Sequence, residues 1–230
     1  YGFDRMNSET DLREGQADVC FTSVASKTTM KAVALRLAPF EILKGKARFG
    51  GVARSLLRGA IKFAFRLPLI SAPLDKAYGL VVIFGKPFSR GTVSLASRNP
   101  EDPAYINPAY YSDPRDLQAM TNGVLRMIEI SKQPQLMDWG NTVMSSGADA
   151  EDLEKLHDYI FKNTMTCYHY VGTCSMGEGE DYPVDTQLRL KGIENIRIGD
   201  ASTIPVVPVS ATNAPTMMLA YRAAELILQN

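Results

Sequence analysis

The chain has 230 residues, 45% of them hydrophobic and 22% charged, a globular make-up that argues against disorder. Twenty-five basic residues balance 25 acidic ones. There is therefore no overall basic excess to meet the phosphates of a nucleic acid. No run approaches the roughly 20 apolar residues that a membrane-spanning helix needs. Three cysteines, Cys20, Cys167 and Cys174, are too few and too odd in number for a disulfide framework. The seven-residue step from Cys167 to Cys174 matches no common metal spacing, so no metal site is expected. The start, Tyr1-Gly2-Phe3-Asp4-Arg5, has neither an initiating methionine nor a signal-peptide pattern, and it reads as a piece of something longer.

Taken in chain order, residues 18–24 and 80–84 are rich in β-branched side chains and predict strands, as do 92–97. The stretch 85–91 between the last two, with Pro87 and two glycines at its ends, suits a hairpin loop. A loop with Pro100, Pro103 and Pro108 follows. Ser112-Asp113-Pro114 then opens a helix that runs to about Lys132, where Pro134 ends it. A second helix spans about 150–163, with Leu153, Leu156 and Ile160 as its apolar stripe. His157 stands beside that stripe on a charged helix and reads as structural or solvated. Residues 195–199 predict a short strand ending at Asp200. Residues 214–229 predict a last helix with Pro215 near its start and Met218, Leu219, Ala223, Leu226 and Ile227 inside. Strand, loop and helix in that order are the pattern of an α/β layer. Arg54, Arg58, Lys62 and Arg66 recur every four residues and predict a helix with a basic stripe. That stripe belongs either to a surface helix packed on its own domain or to a cover that touches a membrane surface or admits a lipophilic substrate.

The chemistry is carried by three ordered blocks. The first is Tyr168-His169-Tyr170-Val171-Gly172-Thr173-Cys174-Ser175-Met176-Gly177. The second runs from Leu188 to Pro205 and contains Gly199-Asp200-Ala201-Ser202. The third is Ala211-Thr212-Asn213-Ala214-Pro215-Thr216-Met217-Met218. In order and spacing these blocks resemble the C-terminal region of the glucose–methanol–choline (GMC) oxidoreductases, over residues 166–230. Upstream, Lys86 to Leu95 is similar to that family's substrate-region strand pair, and Tyr111 to Asp116 to its loop into the next helix. Between Asp18 and Gly79 the likeness fades.

The resemblance implies an α/β fold: the C-terminal part of a two-domain FAD flavoprotein. Residues 1–163 would form the substrate-binding region with an antiparallel sheet, and 27–78 would be a helical insertion atypical of the family. Residues 164–230 would supply the closing strand and helix of a Rossmann-like FAD domain. It further implies oxidation of an alcohol by proton abstraction and hydride transfer to the flavin. His169 matches the catalytic histidine, and imidazole, which titrates at about pH 6.5 in water, suits that task. Asn213 matches the second member of the catalytic pair and would orient the substrate oxygen. It could also cap the last helix. Asp200 and Ala201, with Asn213, Ala214, Pro215 and Thr216, match the positions that touch FAD. Tyr170 departs from the proline that many relatives have after the histidine.

The glycine-rich G-x-G-x-x-G turn that holds the ADP half of FAD does not occur; Gly177-Glu178-Gly179 has its first two glycines only. An N-terminal FAD-binding half, on the same or a separate chain, is the expected partner, with a small-molecule alcohol as substrate. Two other readings remain. One is a lyase of the same family that keeps FAD without cycling it. The other is a non-catalytic fragment that needs its N-terminal partner. Compartment and electron acceptor are left open.

Overall fold

A computed structural model of the chain describes residues 1–24, 50–69, 77–141 and 149–229, with the single positions 31, 35 and 72. Much of the expected 27–78 insertion lies outside the described residues. The chain divides into two units, one of residues 22–81 with Tyr1 and one of residues 2–21 with 82–230.

Strands β1 (Gly2–Asp4), β2 (Val19–Val24) and β3 (Gly79–Phe84) form a sheet in the order β1-β2-β3. β1 and β2 run antiparallel with Phe3 opposite Cys20. The turn between them is built on Asp18, which is fully buried. Its carboxylate accepts the backbone N–H groups of Met6 at 2.7 Å and Asn7 at 2.8 Å, and its carbonyl accepts Gly85 N at 2.8 Å. A buried carboxylate is tolerated because its oxygens are met by donors.

The expected hairpin of 80–84 with 92–97 does not form. β4 (Thr92–Ser94) instead pairs antiparallel with β5 (Tyr105–Asn107), Val93 opposite Ile106. The physical reason lies in the 85–91 segment, whose donors are taken up elsewhere. Phe88 N and Ser89 N each donate to the buried Asp116 carboxylate at 2.8 Å, and Lys86 Nζ donates to Val207 O at 2.9 Å. Burial pulls the Lys86 ammonium pKa down.

Of the helices in unit 22–81, α1 (Gly50–Ala64) carries the basic stripe; Arg58, Lys62 and Arg66 are exposed, whereas Arg54 is half-buried. In the other unit α2 spans Pro114–Ser131, with Asp113 as its N-cap and Pro114 at its first position, as the sequence predicts. A one-turn helix α3 (Pro134–Met137) follows, and α4 covers Leu153–Asn163 behind an Asp152 cap. Val124 of α2 packs with Leu156 and Ile160 of α4, and Val82 and Met120 join them. Leu153, expected in this stripe, is exposed. Gly123 sits mid-helix, at a cost of ~1 kcal/mol relative to alanine. A Cβ there would lie 2.9 Å from Val82 Cγ1, so its absence lets strand and helix approach.

The α2 cap has a pH signature. Hydrogen bonds from the Arg115 side chain and backbone hold the Asp113 carboxyl at about 2, below its ordinary 3.8. The folded state therefore favours the ionised carboxylate. The contribution of the cap is present above pH 3.8 and is lost as the pH falls through about 2. An NMR titration should place the Asp113 midpoint near 2, and Arg115→Ala should move it back up. A midpoint unmoved by that substitution would rule out Arg115 as the cause.

Candidate active site

A second core organises the C-terminal residues. Val184 and Leu188 pack with Leu219, Ala223 and Leu226 of the last helix α5 (Asn213–Leu228), and Cys174, Met176, Ile198 and Ile204 line its edge. Residues 195–199 do not form the expected strand. They make an isolated antiparallel bridge, Arg189 to Arg197, flanked by Leu190 N to Ile196 O and Ile198 N to Leu188 O, each 2.9 Å. A strand of a Rossmann-like sheet needs parallel neighbours, and these residues pair with a nearby loop. Asp200 consequently ends no strand. It N-caps a 3₁₀ turn at Ala201–Thr203, where its Oδ1 accepts Ser202 N at 2.8 Å. Hydrogen bonding to Ser202 lowers its carboxyl pKa.

The histidine block is tied to this turn by main-chain bonds. Cys174 N donates to Ser202 O at 3.0 Å and Met176 N to Thr203 O at 2.9 Å. Ser175 Oγ closes a tight turn on Gly172 O at 2.8 Å. Upstream, Tyr168 has a φ of 65°, in the left-handed region that a non-glycine residue seldom visits. Across that residue Cys167 Sγ and His169 Nδ1 lie 3.5 Å apart. The rings of Tyr168 and Tyr170 meet edge to face at 6.4 Å. His169 is half-buried and Cys167 exposed. The Cys167 contact is a feature that sequence reasoning missed. The signal, a thiol two residues before the histidine, was visible, but the contact depends on the backbone at Tyr168.

Asn213 and Ala214 are exposed at the start of α5, while Pro215 and Thr216 are half-buried. Thr212, at the N-cap, makes no side-chain hydrogen bond to the helix, and the first turn carries no acidic residue. The first turn and cap of this helix thus bring no anion of their own to its positive end. Lys86, through Val207, and Gly85 hold the loop that leads into Asn213; a Cβ at Gly85 would lie 2.7 Å from Val209 Cα. Beyond the first turn, Met218 and Ile227, expected inside, are 70% and 58% exposed, and Met217 and Tyr221 are exposed with them. All three cysteines are free thiols, and among the described residues no cluster suits a metal ion.

Gly177 closes the histidine block against Tyr182. A Cβ there would fall 2.4 Å from the ring. Gly177→Ala should cost about 1–3 kcal/mol by overpacking, measured by urea unfolding. Adding Tyr182→Ala to make room should recover part of the loss. An additive double variant would exclude the ring as the cause.

The GMC oxidoreductase family model matches residues 87–220 of this chain. The chain belongs to the GMC oxidoreductase family. It is 41% identical over 143 residues to choline oxidase of Arthrobacter globiformis, a match covering 60% of this chain and 26% of that protein. It is 39% identical over 144 residues to an alcohol dehydrogenase [acceptor] of Pseudomonas putida, covering 62% and 26%. The chain thus spans about a quarter of the length of these relatives. Among solved structures, pyridoxine 4-oxidase from Mesorbium loti superposes with a TM-score of 0.63 at 27% identity, over 68% of this chain and 30% of that one. An FAD-dependent oxidoreductase from Chaetomium thermophilum shares the fold at a TM-score of 0.60 and 22% identity. That match covers 88% of this chain and 36% of that one.

Proposed function

We propose that this chain is the part of an FAD-dependent alcohol oxidoreductase that supplies the catalytic base and one edge of the flavin site. The observation that carries the reading is the joining of the histidine block to the Asp200 turn and the α5 core, within a family that includes a relative named as an alcohol dehydrogenase. The residues present fit one edge of the cofactor. An uncapped helix N-terminus with exposed Asn213 and Ala214 offers N–H groups and a positive dipole to a polar ring edge that gains negative charge. Asp200 and Ala201 begin the neighbouring turn. The glycine-rich pyrophosphate turn is not in these 230 residues, so the phosphate cradle is assigned to an N-terminal half. Exposed Met217, Met218 and Tyr221 give that half an apolar face to cover.

When bound, FAD supplies the two-electron acceptor for the carbinol hydrogen. The chain manages the proton and the oxygen. With a hydrogen on His169 Nδ1 donated toward the Cys167 sulfur, the Nε2 lone pair is free to take the substrate hydroxyl proton. The Asn213 amide cannot serve as base at neutral pH; its NH₂ group donates to the oxygen and fixes the carbinol carbon relative to the acceptor. Tyr168 and Tyr170 flank this position and are assigned to the substrate wall.

Anaerobic addition of a primary alcohol to the flavin-loaded protein should bleach the flavin absorbance, and the aldehyde should appear in equal amount. Retained colour with FAD bound would turn the reading toward the non-redox lyase, checked by cyanide release from a cyanohydrin.

A further inference from the structure

The chain is neutral overall, but its charge is unevenly placed. Between Glu41 and Asp75 lie seven basic residues and no acidic one. Helix α1 is the described centre of this segment. At 100° per residue, Val52, Leu56, Gly59 and Phe63 fall on one line along it. That line faces solvent: Val52 is 74% exposed, Leu56 71% and Phe63 62%. The opposite side, with Leu57, Ile61 and Ala64, is half-buried. Lys62 lies about 90° and Arg58 about 130° round the helix from the exposed apolar line, on the same side of it. Arg66 follows the helix end, and Leu67 and Leu69 extend the exposed apolar surface there.

We propose that α1 is an interfacial element that lies on the surface of an anionic bilayer. A solvated helix face has no use for an outward row of valine, leucine and phenylalanine, each of which loses burial energy in water. An apolar row with cations to one side of it suits the boundary between acyl chains and anionic headgroups: the bulky tips enter the boundary, while the long Arg58 and Lys62 side chains reach up to keep their charges among the phosphates. Because the chain as a whole carries no net charge, attraction to an anionic surface is local to this segment. No described helix is long and apolar enough to cross a membrane, so the contact is made in the plane of the surface. Bilayer binding by α1 is independent of the redox chemistry and is tested without flavin.

The 230-residue chain should co-sediment with vesicles of equal parts phosphatidylglycerol and phosphatidylcholine at low salt, and not with phosphatidylcholine alone. Each basic residue near such a surface is worth about fivefold in partitioning, so Arg58→Glu with Lys62→Glu should weaken binding at least ~25-fold. The milder pair Arg58→Gln with Lys62→Gln should give a smaller loss. Leu56→Ser with Phe63→Ser should weaken binding while leaving its salt dependence in place. All four positions are exposed, so circular dichroism should show an unchanged helix content. No sedimentation of the parent chain, equal binding to neutral vesicles, or binding indifferent to both the charge and the apolar pairs would overturn the proposal.

Discussion

Replacing His169 with alanine in the flavin-loaded protein should lower the rate of flavin reduction by alcohol at least about a hundredfold while FAD remains bound. An alcohol gives up hydride far less readily than its alkoxide; on the proposed reading His169 takes that proton, and removing it raises the barrier of the chemical step itself. General-base catalysis contributes about 10²–10⁴-fold in rate, or about 3–5 kcal/mol of transition-state stabilisation. His169 is one of two histidines in the chain, and the other, His157, lies on the charged helix α4, within the proposed substrate region. Rapid-mixing spectroscopy under anaerobic conditions measures the reduction step separately from reoxidation. Flavin content, read from the absorbance of the purified variant, separates loss of base from loss of cofactor. Asn213→Ala should give a smaller loss in the same step, because it removes orientation and leaves the base. Reduction at the parent rate in His169→Ala would remove this imidazole from the mechanism.

The candidate site is legible in the sequence to the extent that it depends on short contiguous blocks. His169, the Asp200 turn and Asn213 each sit in a recognisable stretch; Cys174 and Met176, in the block of the first, bond to the turn of the second, and the helix of the third packs on the core these blocks line. Contacts set by backbone conformation or by distant partners were not legible. The Cys167–His169 contact follows from the left-handed φ of Tyr168, which no local pattern announces. The helix α2 start was readable because Asp113 and Pro114 act within one turn. The partner of β4 was not, because Tyr105–Asn107 is a three-residue strand between prolines and looks like loop. Residues 195–199 have strand composition yet pair as a bridge, since a strand exists only where a neighbour takes its hydrogen bonds. Periodicity placed Met218 and Ile227 with Leu219 and Leu226. A helix apolar over so much of its circumference does not say which side its own unit covers.

The same non-local logic makes Asp116 a sensitive polar residue outside the site. It lies in the first turn of α2, only 1% exposed, and its two oxygens accept Phe88 N and Ser89 N at 2.8 Å each. Its charge also meets the positive end of the helix. Arg115, stacked 3.7 Å over the Phe88 ring, and Asp113 N, which donates to Ser89 Oγ, fasten the same loop. Asp116→Ala leaves two backbone donors without acceptors and opens a small void. At about 1–3 kcal/mol for each stranded donor, the expected loss is about 2–6 kcal/mol. For a chain of this size that lowers Tm by roughly 4–24 °C. Asp116→Asn preserves the shape but turns an NH₂ group toward one of the two donors, and it should fall between alanine and the parent. Arg126→Ala, which breaks exposed pairs with Glu129 on the same helix and with Asp4 of β1, should change stability by no more than ~1 kcal/mol. Urea unfolding of the three variants tests the ranking. If Asp116→Ala cost no more than Arg126→Ala, the 85–91 segment would not be held by this carboxylate. The failure of β3 and β4 to form a hairpin would then rest on the pairing of β4 with β5 alone.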